Sequence, residues 1–368
     1  MTRIHGLDLA RALAIIGMMA AHIGPDHFLT EGYPSVLFAV LAGVSMGIIA
    51  SRPGERAQAR LVLLTRAVIL VGLGVLLDAV QDGISVVLIA IGVAYLLLLP
   101  VLWWRARWQA VLLGVLVVLG PLVGAVYSAY HVGFGSDFFS DLLFGPYPIT
   151  AWLAYTLFGL LIHRLALRRE VWLLLGGVIV FGAAQSIIAA TDFRVGPYDQ
   201  LKFVGEWLQG EPHSGGLLDV ITSAGLAAAV IGVCLLLGRV AAIVWVTYPV
   251  RSFGSMSLTI YVTHVIITTI ANETFMGTST MYVDYMSAEQ RQALEGLGSG
   301  DFGWTMYPPP NGPEPGGYMG FPYVDPLWPD LFVWQLLGFL VFASLWRWKF
   351  RRGPAEWAVS RAEVAAAR

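Results

Sequence analysis

The sequence predicts an all-α fold: a polytopic membrane helix bundle of about ten transmembrane helices with both termini cytoplasmic. Of the 368 residues, 57% are hydrophobic and only 12% are charged, and the mean hydropathy is +0.71. Soluble domains carry about 25% charged residues, so an ordinary soluble domain is excluded. The apolar runs follow one another along the whole chain, and residues 1–368 are therefore taken as one transmembrane domain.

A window of about 20 residues, the length of helix that crosses a bilayer, finds ten candidate spans. They lie near residues 7–25, 34–51, 61–80, 84–103, 107–128, 148–165, 171–191, 217–238, 253–272 and 329–348. The first run is interrupted by Asp8 and Arg11 and lacks a small-residue cleavage site, so it is interpreted as a retained helix and not as a signal peptide.

Basic residues give the orientation of the bundle. An even number of spans places both termini on one side, and the connections on that side hold most of the basic residues. These include Arg52, Arg56, Arg60, Arg105, Arg107, Arg164, Arg168, Arg169, Arg239 and Arg352. The alternate connections are rich in aspartate. The positive-inside rule therefore makes both termini cytoplasmic.

The longest connection, residues 273–328, falls on the outer side. Residues 287–290 (Ser-Ala-Glu-Gln) have the pattern of a capping box and predict a short helix. Residues 304–323 are too rich in proline and glycine for a helix. This aromatic stretch either caps an outward-facing cavity or forms an interfacial aromatic belt.

The first span carries three ionisable residues, Asp8, Arg11 and His22. Such groups are costly within a membrane and mark candidate functional sites. Asp8 and Arg11 are three residues apart and can pair, as a functional group or as a structural salt bridge. His22 lies about 16 Å beyond Arg11 along the helix. Imidazole titrates near neutral pH and suits a proton acceptor, although an interfacial structural histidine is the simpler alternative. His27, in the adjacent loop, competes for the same role.

The ninth span holds a second polar group. Ser257, Tyr261 and His264 recur at helical spacing and share one face. By helical rise His264 lies about 6 Å deeper than His22, so the two histidines can line one cavity. The alternative is that these side chains only hydrogen-bond neighbouring helices together. In the third span, Arg66 either extends to the cytoplasmic surface or meets an anionic ligand entering from inside.

Other features of the composition limit the chemistry. The net charge of -2 gives no indication of a nucleic-acid partner, and the lone cysteine, Cys234, excludes an intrachain disulfide. The seven histidines and one cysteine show no metal-ligand spacing, so no metal is expected. Residues 43–47 (Gly-Val-Ser-Met-Gly) fit a nucleophile-elbow string, but that motif needs a strand-to-helix turn. In mid-span, these small residues predict close helix packing.

Several strings together resemble the transmembrane acyltransferase superfamily. Asp8, Arg11 and His22 resemble its first-helix signature, and residues 254–264 (Gly-Ser-Met-Ser-Leu-Thr-Ile-Tyr-Val-Thr-His) resemble its late Ser-Leu-Thr-x-Tyr-x-x-His segment. Residues 43–45 and 152–159 resemble segments of the second helix and of the middle of the chain. The tail, residues 352–357 (Arg-Gly-Pro-Ala-Glu-Trp), is similar to that of the bacterial branch related to heparan-alpha-glucosaminide N-acetyltransferase. Acyltransferase-3 proteins are more distant relatives.

The resemblance implies transfer of an acyl group, most simply acetyl, from a cytoplasmic acyl-CoA to an extracytoplasmic glycan or lipid-linked acceptor. It implies a multi-pass protein of the cell membrane, in contact with the lipid bilayer, and it is compatible with a homodimer. Asp8, Arg11 and Arg66 are then expected at the donor, the two arginines holding its phosphates.

On the same resemblance, His22 is the catalytic base or a transient acyl carrier, and His264 and Tyr261 orient the acceptor or stabilise the oxyanion. Two positions differ from the family pattern. Ala12 stands where glycine is usual, and His22 stands where the sugar-amine branch has asparagine, with its catalytic histidine further along the loop. The choice between His22 and His27 stays open.

Two other classes of function fit the same charges. A proton-coupled small-molecule transporter would relay protons through His22 and His264 and use Asp8 with Arg11 as a gate. A receptor or assembly subunit would use its intramembrane charges only for packing. A transporter moves its substrate unchanged, whereas an acyltransferase yields an acylated product.

Overall fold

The computed structural model describes residues 4–24, 27–80, 84–130, 138–191, 202–284, 305–307, 316–324 and 328–367. It confirms a polytopic helical membrane bundle. The helices are α1 His5–Ile23, α2 Tyr33–Ala50, α3 Arg56–Val80, α4 Leu88–Leu98, α5 Ala106–Tyr130, α6 Phe138–Phe144, α7 Ile149–Leu161, α8 Glu170–Thr191, α9 Lys202–Leu208, α10 Leu217–Leu237, α11 Ala241–Val246, α12 Tyr248–Gly254, α13 Ser257–Phe275, α14 Trp328–Lys349 and α15 Pro354–Ala366. A π-helical turn, Ile162–Ala166, extends α7.

Within the described residues, eight helices are long and apolar enough to cross a membrane. A ninth crossing is formed by two helices, α12 and α13, which are bent by 79° at a short break. The fourth predicted span, residues 84–103, is shorter than expected, because its regular helix α4 covers only 11 residues. Turns continue its path to Trp104.

Side-chain contacts show that α4 nevertheless returns to the side from which α3 started. The guanidinium of Arg60, in the first turns of α3, lies 5.0 Å from the centre of the Trp103 ring. Arg164, at the cytoplasmic end of the α7 span, donates to the carbonyl oxygens of Leu102 and Trp104. The segment after α4 thus shares the arginine-rich side, which is consistent with ten passes and cytoplasmic termini.

Helix α1 lies inside the bundle, against α2, α10, α12, α13 and α14. Glycines allow this close packing. A Cβ added to Gly254 of α12 would overlap the Asp8 carbonyl oxygen, and one added to Gly238, after α10, would lie 2.6 Å from the Gly6 amide nitrogen. The polar side chains of α1 therefore face protein and cavities within the bundle.

Helices α2 and α7 also pack with their backbones in contact. A Cβ on Gly43 would overlap the Thr156 carbonyl oxygen, and a Cβ on Gly159 would overlap that of Val40. The packing role predicted for the small residues of α2 is confirmed. This contact fixes α7, whose cytoplasmic extension carries several of the basic residues described below.

A small antiparallel sheet follows α13, in the segment where the sequence predicted no strand. Its strands are β1 Met276–Asp284, β2 Thr305–Tyr307 and β3 Gly316–Val324, in the order β1-β3-β2. The register pairs Met276 with Val324 and Thr305 with Gly320. The sheet lies in the connection between α13 and α14 and leaves the helical bundle as the fold class. Its β-branched and aromatic residues favour strand pairing. The short helix predicted at residues 287–290 lies outside the described residues.

Substituting Gly43 tests the α2 and α7 contact. Gly43→Ala should destabilise the protein by about 1–3 kcal/mol, because the added methyl group has no room between the two backbones. Gly72→Ala is the matched control, since a Cβ at Gly72 meets nothing within 4 Å. It should be neutral or stabilising by up to about 1 kcal/mol, as alanine favours helix. Thermal unfolding in detergent, followed by tryptophan fluorescence, compares them. Equal midpoints for both variants would contradict the packing.

Candidate functional site

Two histidines from distant parts of the chain meet inside the bundle. His22, in the last turn of α1, places its Nδ1 3.2 Å from Nε2 of His264 in α13. Their rings are stacked, with 5.5 Å between centroids and 2° between planes. His264 is fully buried, whereas His22 keeps part of its surface exposed. The predicted proximity of the two histidines is confirmed, whereas their role in a site stays a prediction.

A third side chain, Gln335 of α14, fixes the orientation of His264. Its Oε1 lies 2.9 Å from His264 Nδ1, and its Nε2 donates to Thr268 Oγ1 at 3.3 Å. With the amide assigned in this orientation, its oxygen only accepts, so the proton of His264 resides on Nδ1. His264 Nε2 then accepts the Nδ1 hydrogen of His22. The remaining nitrogen of His22, Nε2, carries a lone pair, as a proton acceptor requires.

The break between α12 and α13 is stabilised by a carboxylate from the C-terminal helix. Glu356 Oε1 accepts hydrogen bonds from the backbone nitrogens of Leu258 and Thr259, at 2.7 and 3.2 Å. The Thr259 hydroxyl donates to the other carboxylate oxygen at 2.6 Å. An acid at a helix N-terminus satisfies its unpaired N–H groups and complements the helix dipole. Glu356 thus fixes the first turn of α13, the helix that carries His264.

Arg11 lies between two cavities. Its Nη1 is 3.1 Å from Asp8 Oδ1, and its Nη2 donates to Ser45 Oγ of α2, also at 3.1 Å. Asp8 is almost fully buried, at 2% exposure, so the pair offsets the cost of placing both charges inside the bundle. The predicted pairing of Asp8 with Arg11 is confirmed.

The larger cavity, of about 1250 Å³, lies at the arginine-rich end of the bundle. Basic side chains dominate its lining: His5, Arg11, Arg52, His163, Arg164, Arg168, Arg169, Arg239 and Arg352. Asp8 and Glu170 are its acids. Such an excess of positive charge in a concave site favours an anionic ligand.

The smaller cavity, of about 250 Å³, lies beyond Arg11 at the break between α12 and α13. Arg66 borders this cavity and not the larger one, and its Nε donates to Glu363 Oε1 of α15 at 2.7 Å. Phe38, also in its lining, stacks on Tyr261 with 6.3 Å between ring centroids. His264 follows Tyr261 by one helical turn. The large cavity, the small cavity and the two histidines therefore follow one another along the bundle, starting from its arginine-rich end.

Two other predicted site residues lie apart from the pair of histidines. His27 is exposed in the loop before α2, where its Nδ1 accepts the Leu29 N–H at 3.2 Å and its ring contacts Phe28. Among the described residues it does not contact His22 or His264. Tyr261 is buried, and its hydroxyl oxygen accepts the Val87 N–H at 3.3 Å. Its phenolic proton remains able to donate a second hydrogen bond.

Three residues of the site were missed in the sequence. Gln335 is an amide in an otherwise apolar span, a signal that points to a buried partner. Glu356 belongs to the tail string that carried the family resemblance, but the string alone does not reveal a helix cap. Glu363 is an acid on an amphipathic helix, where nothing in the spacing indicates Arg66, almost 300 residues earlier, as its partner.

Comparison with protein families assigns part of the chain to a known family. The acyltransferase-3 family model, described as an acyltransferase domain, matches residues 87–287. The match covers more than half of the chain, including Tyr261 and His264, and leaves the first three helices outside. No curated protein gives a significant match. The match supports the resemblance to acyltransferase-3 proteins, whereas the resemblance to heparan-alpha-glucosaminide N-acetyltransferase stays a prediction.

A double-mutant cycle on Arg66 and Glu363 tests the electrostatics of the smaller cavity. Either single substitution to methionine should destabilise the protein by about 1–3 kcal/mol, because the remaining charge is left without a partner in a low-dielectric site. The loss stays in this range because Arg66 keeps partial access to water. The double variant should be more stable than at least one single variant, and denaturant unfolding in detergent measures all four proteins. Strictly additive losses would show that the two side chains do not interact.

Proposed function

The chain belongs to the acyltransferase-3 family and is a membrane acyltransferase, and we propose that it moves an acyl group, most simply acetyl, from cytoplasmic acyl-CoA to an extracytoplasmic glycan or lipid-linked acceptor. One observation carries this proposal: His22 contacts His264, which in turn contacts Gln335, and the pair of histidines lies in line with a basic cavity. The cell membrane is its proposed location. The family match favours this enzyme over the transporter.

The basic cavity supports an acyl-CoA donor. Coenzyme A carries several phosphates, and guanidinium groups bind phosphate through paired, charge-assisted hydrogen bonds. Arg52 and Arg168 line the cavity and make no ion pair within the part of the chain that the structure describes. Their charge is therefore available to a ligand. No metal is required for this chemistry.

The smaller cavity supports a route for the acyl end of the donor. Arg11 borders both cavities, so a donor bound at the cytoplasmic side passes this residue on its way outward. Asp8 holds the Arg11 guanidinium in place. Arg66 lies further along the same route and lines only the smaller cavity, beyond the arginines of the large one. We assign Arg11 to the phosphates and Arg66 to the narrower segment that follows.

The chemistry is a direct transfer assisted by a base. His22 Nε2 accepts the proton of an acceptor hydroxyl or amine as that atom attacks the thioester carbonyl. The carbon–sulfur bond breaks, and the His22 imidazolium returns the proton to the coenzyme A sulfur. His264 accepts the Nδ1 hydrogen of His22 and Gln335 holds His264, so the ring is oriented before the acceptor arrives. Attack by His22 Nε2 itself, giving a transient acyl-imidazole, uses the same geometry.

Tyr261 and His27 have different roles in this proposal. The Tyr261 hydroxyl proton can donate to the oxyanion if the thioester carbonyl reaches the space beside Phe38. His27 is exposed in the outer loop and can contact an acceptor, and it is the alternative base.

Labelled transfer across a membrane tests the function and the choice of histidine. Proteoliposomes receive radiolabelled acetyl-CoA on the cytoplasmic face and a cell-envelope glycan extract on the other. His22→Ala should lower transfer by about 10²–10⁴-fold, the usual contribution of a general base, and His264→Ala should also lower it. His27→Ala is the matched control and should retain activity.

The opposite order, with His27→Ala inactive and His22→Ala active, would move the base to the loop. Absence of product with every one of several acyl donors, together with uptake of unmodified solute, would favour a transporter.

Gln335 should act as a positioning residue. Gln335→Leu removes the acceptor for His264 Nδ1–H, and we expect kcat to fall by about 10- to 100-fold, the size usual for such supporting hydrogen bonds, with KM for acetyl-CoA unchanged. Gln335→Glu keeps an acceptor oxygen and should restore most of the rate. If Gln335→Leu changes only KM or stability, and Gln335→Glu does not restore the rate, the side chain of Gln335 is purely structural.

A further inference from the structure

A third cavity, of about 500 Å³, lies on the membrane-facing side of the bundle. Its lining comes from α5, α7, α8 and α10 and is almost entirely apolar. Small residues, Ala154, Gly176, Ala224 and Ala228, form much of it, so a slot remains between the larger side chains of α5 and α8. We call this slot the α5/α8 groove.

The α5/α8 groove has the length of one lipid leaflet. On α8 it extends from Arg169 to Val180, and on α7 and its extension from Leu165 to Ala154. Each stretch covers twelve residues, so its ends are separated by about 16 Å of helical rise. Half of the hydrocarbon core of a bilayer is about 15 Å thick. A single extended acyl chain of the cytoplasmic leaflet therefore matches the groove in length and polarity.

The cytoplasmic end of the groove is charged. Arg169 and Leu165 line both the groove and the large basic cavity, so the two spaces meet at these residues. The Arg169 side chain is exposed and makes no ion pair among the residues described. Trp172, 74% exposed, lies one turn further into the membrane, at the depth where tryptophan favours the boundary with the lipid headgroups.

We propose that the α5/α8 groove binds one anionic phospholipid of the cytoplasmic leaflet, with an acyl chain along α8 and the headgroup phosphate on Arg169. A zwitterionic lipid brings a compensating ammonium group to the same basic rim, so its binding is weaker. Because this site is separate from the histidines, the proposal does not depend on the transfer reaction. Other candidates for the groove are the acyl chain of a long-chain acyl-CoA and a second copy of this chain.

Two glycines of α8 allow a clean test. Gly176 lines the groove, and a Cβ built on it meets nothing within 4 Å, so Gly176→Leu fills the slot without a clash at its first atom. Gly182, on the same helix, also meets nothing within 4 Å and does not line the groove. Gly182→Leu is therefore the matched control. Arg169→Gln removes the charge and keeps the groove open.

The experiment is native mass spectrometry of the full chain in detergent, with equimolar phosphatidylglycerol and phosphatidylcholine added. Wild type should retain one phosphatidylglycerol with about fivefold preference, the equivalent of about 1 kcal/mol for one basic side chain at an anionic surface. Arg169→Gln should remove the preference. Gly176→Leu should lower retention of both lipids, and Gly182→Leu should behave as wild type.

Further arms distinguish the competing occupants. Inorganic phosphate at the same concentration should leave lipid retention unchanged, because the acyl chain provides the groove contacts. Equal retention of the two lipids by wild type, or unchanged retention in Gly176→Leu, would overturn the proposal. Palmitoyl-CoA bound in place of lipid in a Gly176-dependent manner would assign the groove to the donor chain. A dimer lost in Gly176→Leu would assign it to a second copy.

Discussion

Ionisable side chains inside a bilayer must find partners within the protein, because hydrocarbon offers them none. In this chain each buried charge meets a group from a different segment or from one turn away. Arg11 pairs with Asp8, Arg66 with Glu363, and Arg251 reaches His5 at 2.9 Å. Since these partners come from α1, α3, α12 and α15, the same contacts that offset desolvation also fix the helices around the two histidines.

The site also depends on interrupted helix geometry. A straight ninth span would carry its polar residues along one continuous face, whereas the bend of 79° opens the smaller cavity at Ser255 and Ser257. Interrupted helices are tolerated in membranes where other groups satisfy the exposed backbone. Glu356 does this for α13. The bend, the cavity and the position of His264 therefore all depend on the break between α12 and α13 that Glu356 stabilises.

Much of the architecture could be predicted from the sequence, because apolar periodicity and arginine placement depend on the solvent and not on tertiary detail. The apolar spans follow from hydropathy, and the approach of His22 to His264 follows from helical rise. The orientation given by the positive-inside rule stays a prediction. Residues that act through contacts between distant segments could not be found this way. Gln335 and Glu363 have partners 71 and 297 positions away, and no local pattern specifies such pairs. The shortness of α4 and the strand pairing after α13 were missed for the same reason.

The docking of α15 has a consequence for biosynthesis. Glu356 and Glu363 lie on α15, which follows all the described spans in the chain, yet they complete the start of α13 and balance Arg66. Chains fold progressively from the N-terminus as they are synthesised. The spans with both histidines are therefore inserted before the acids that organise them leave the ribosome. Until then the bent span lacks its cap and Arg66 lacks its counter-charge, so the geometry around the two histidines matures after the spans that carry them.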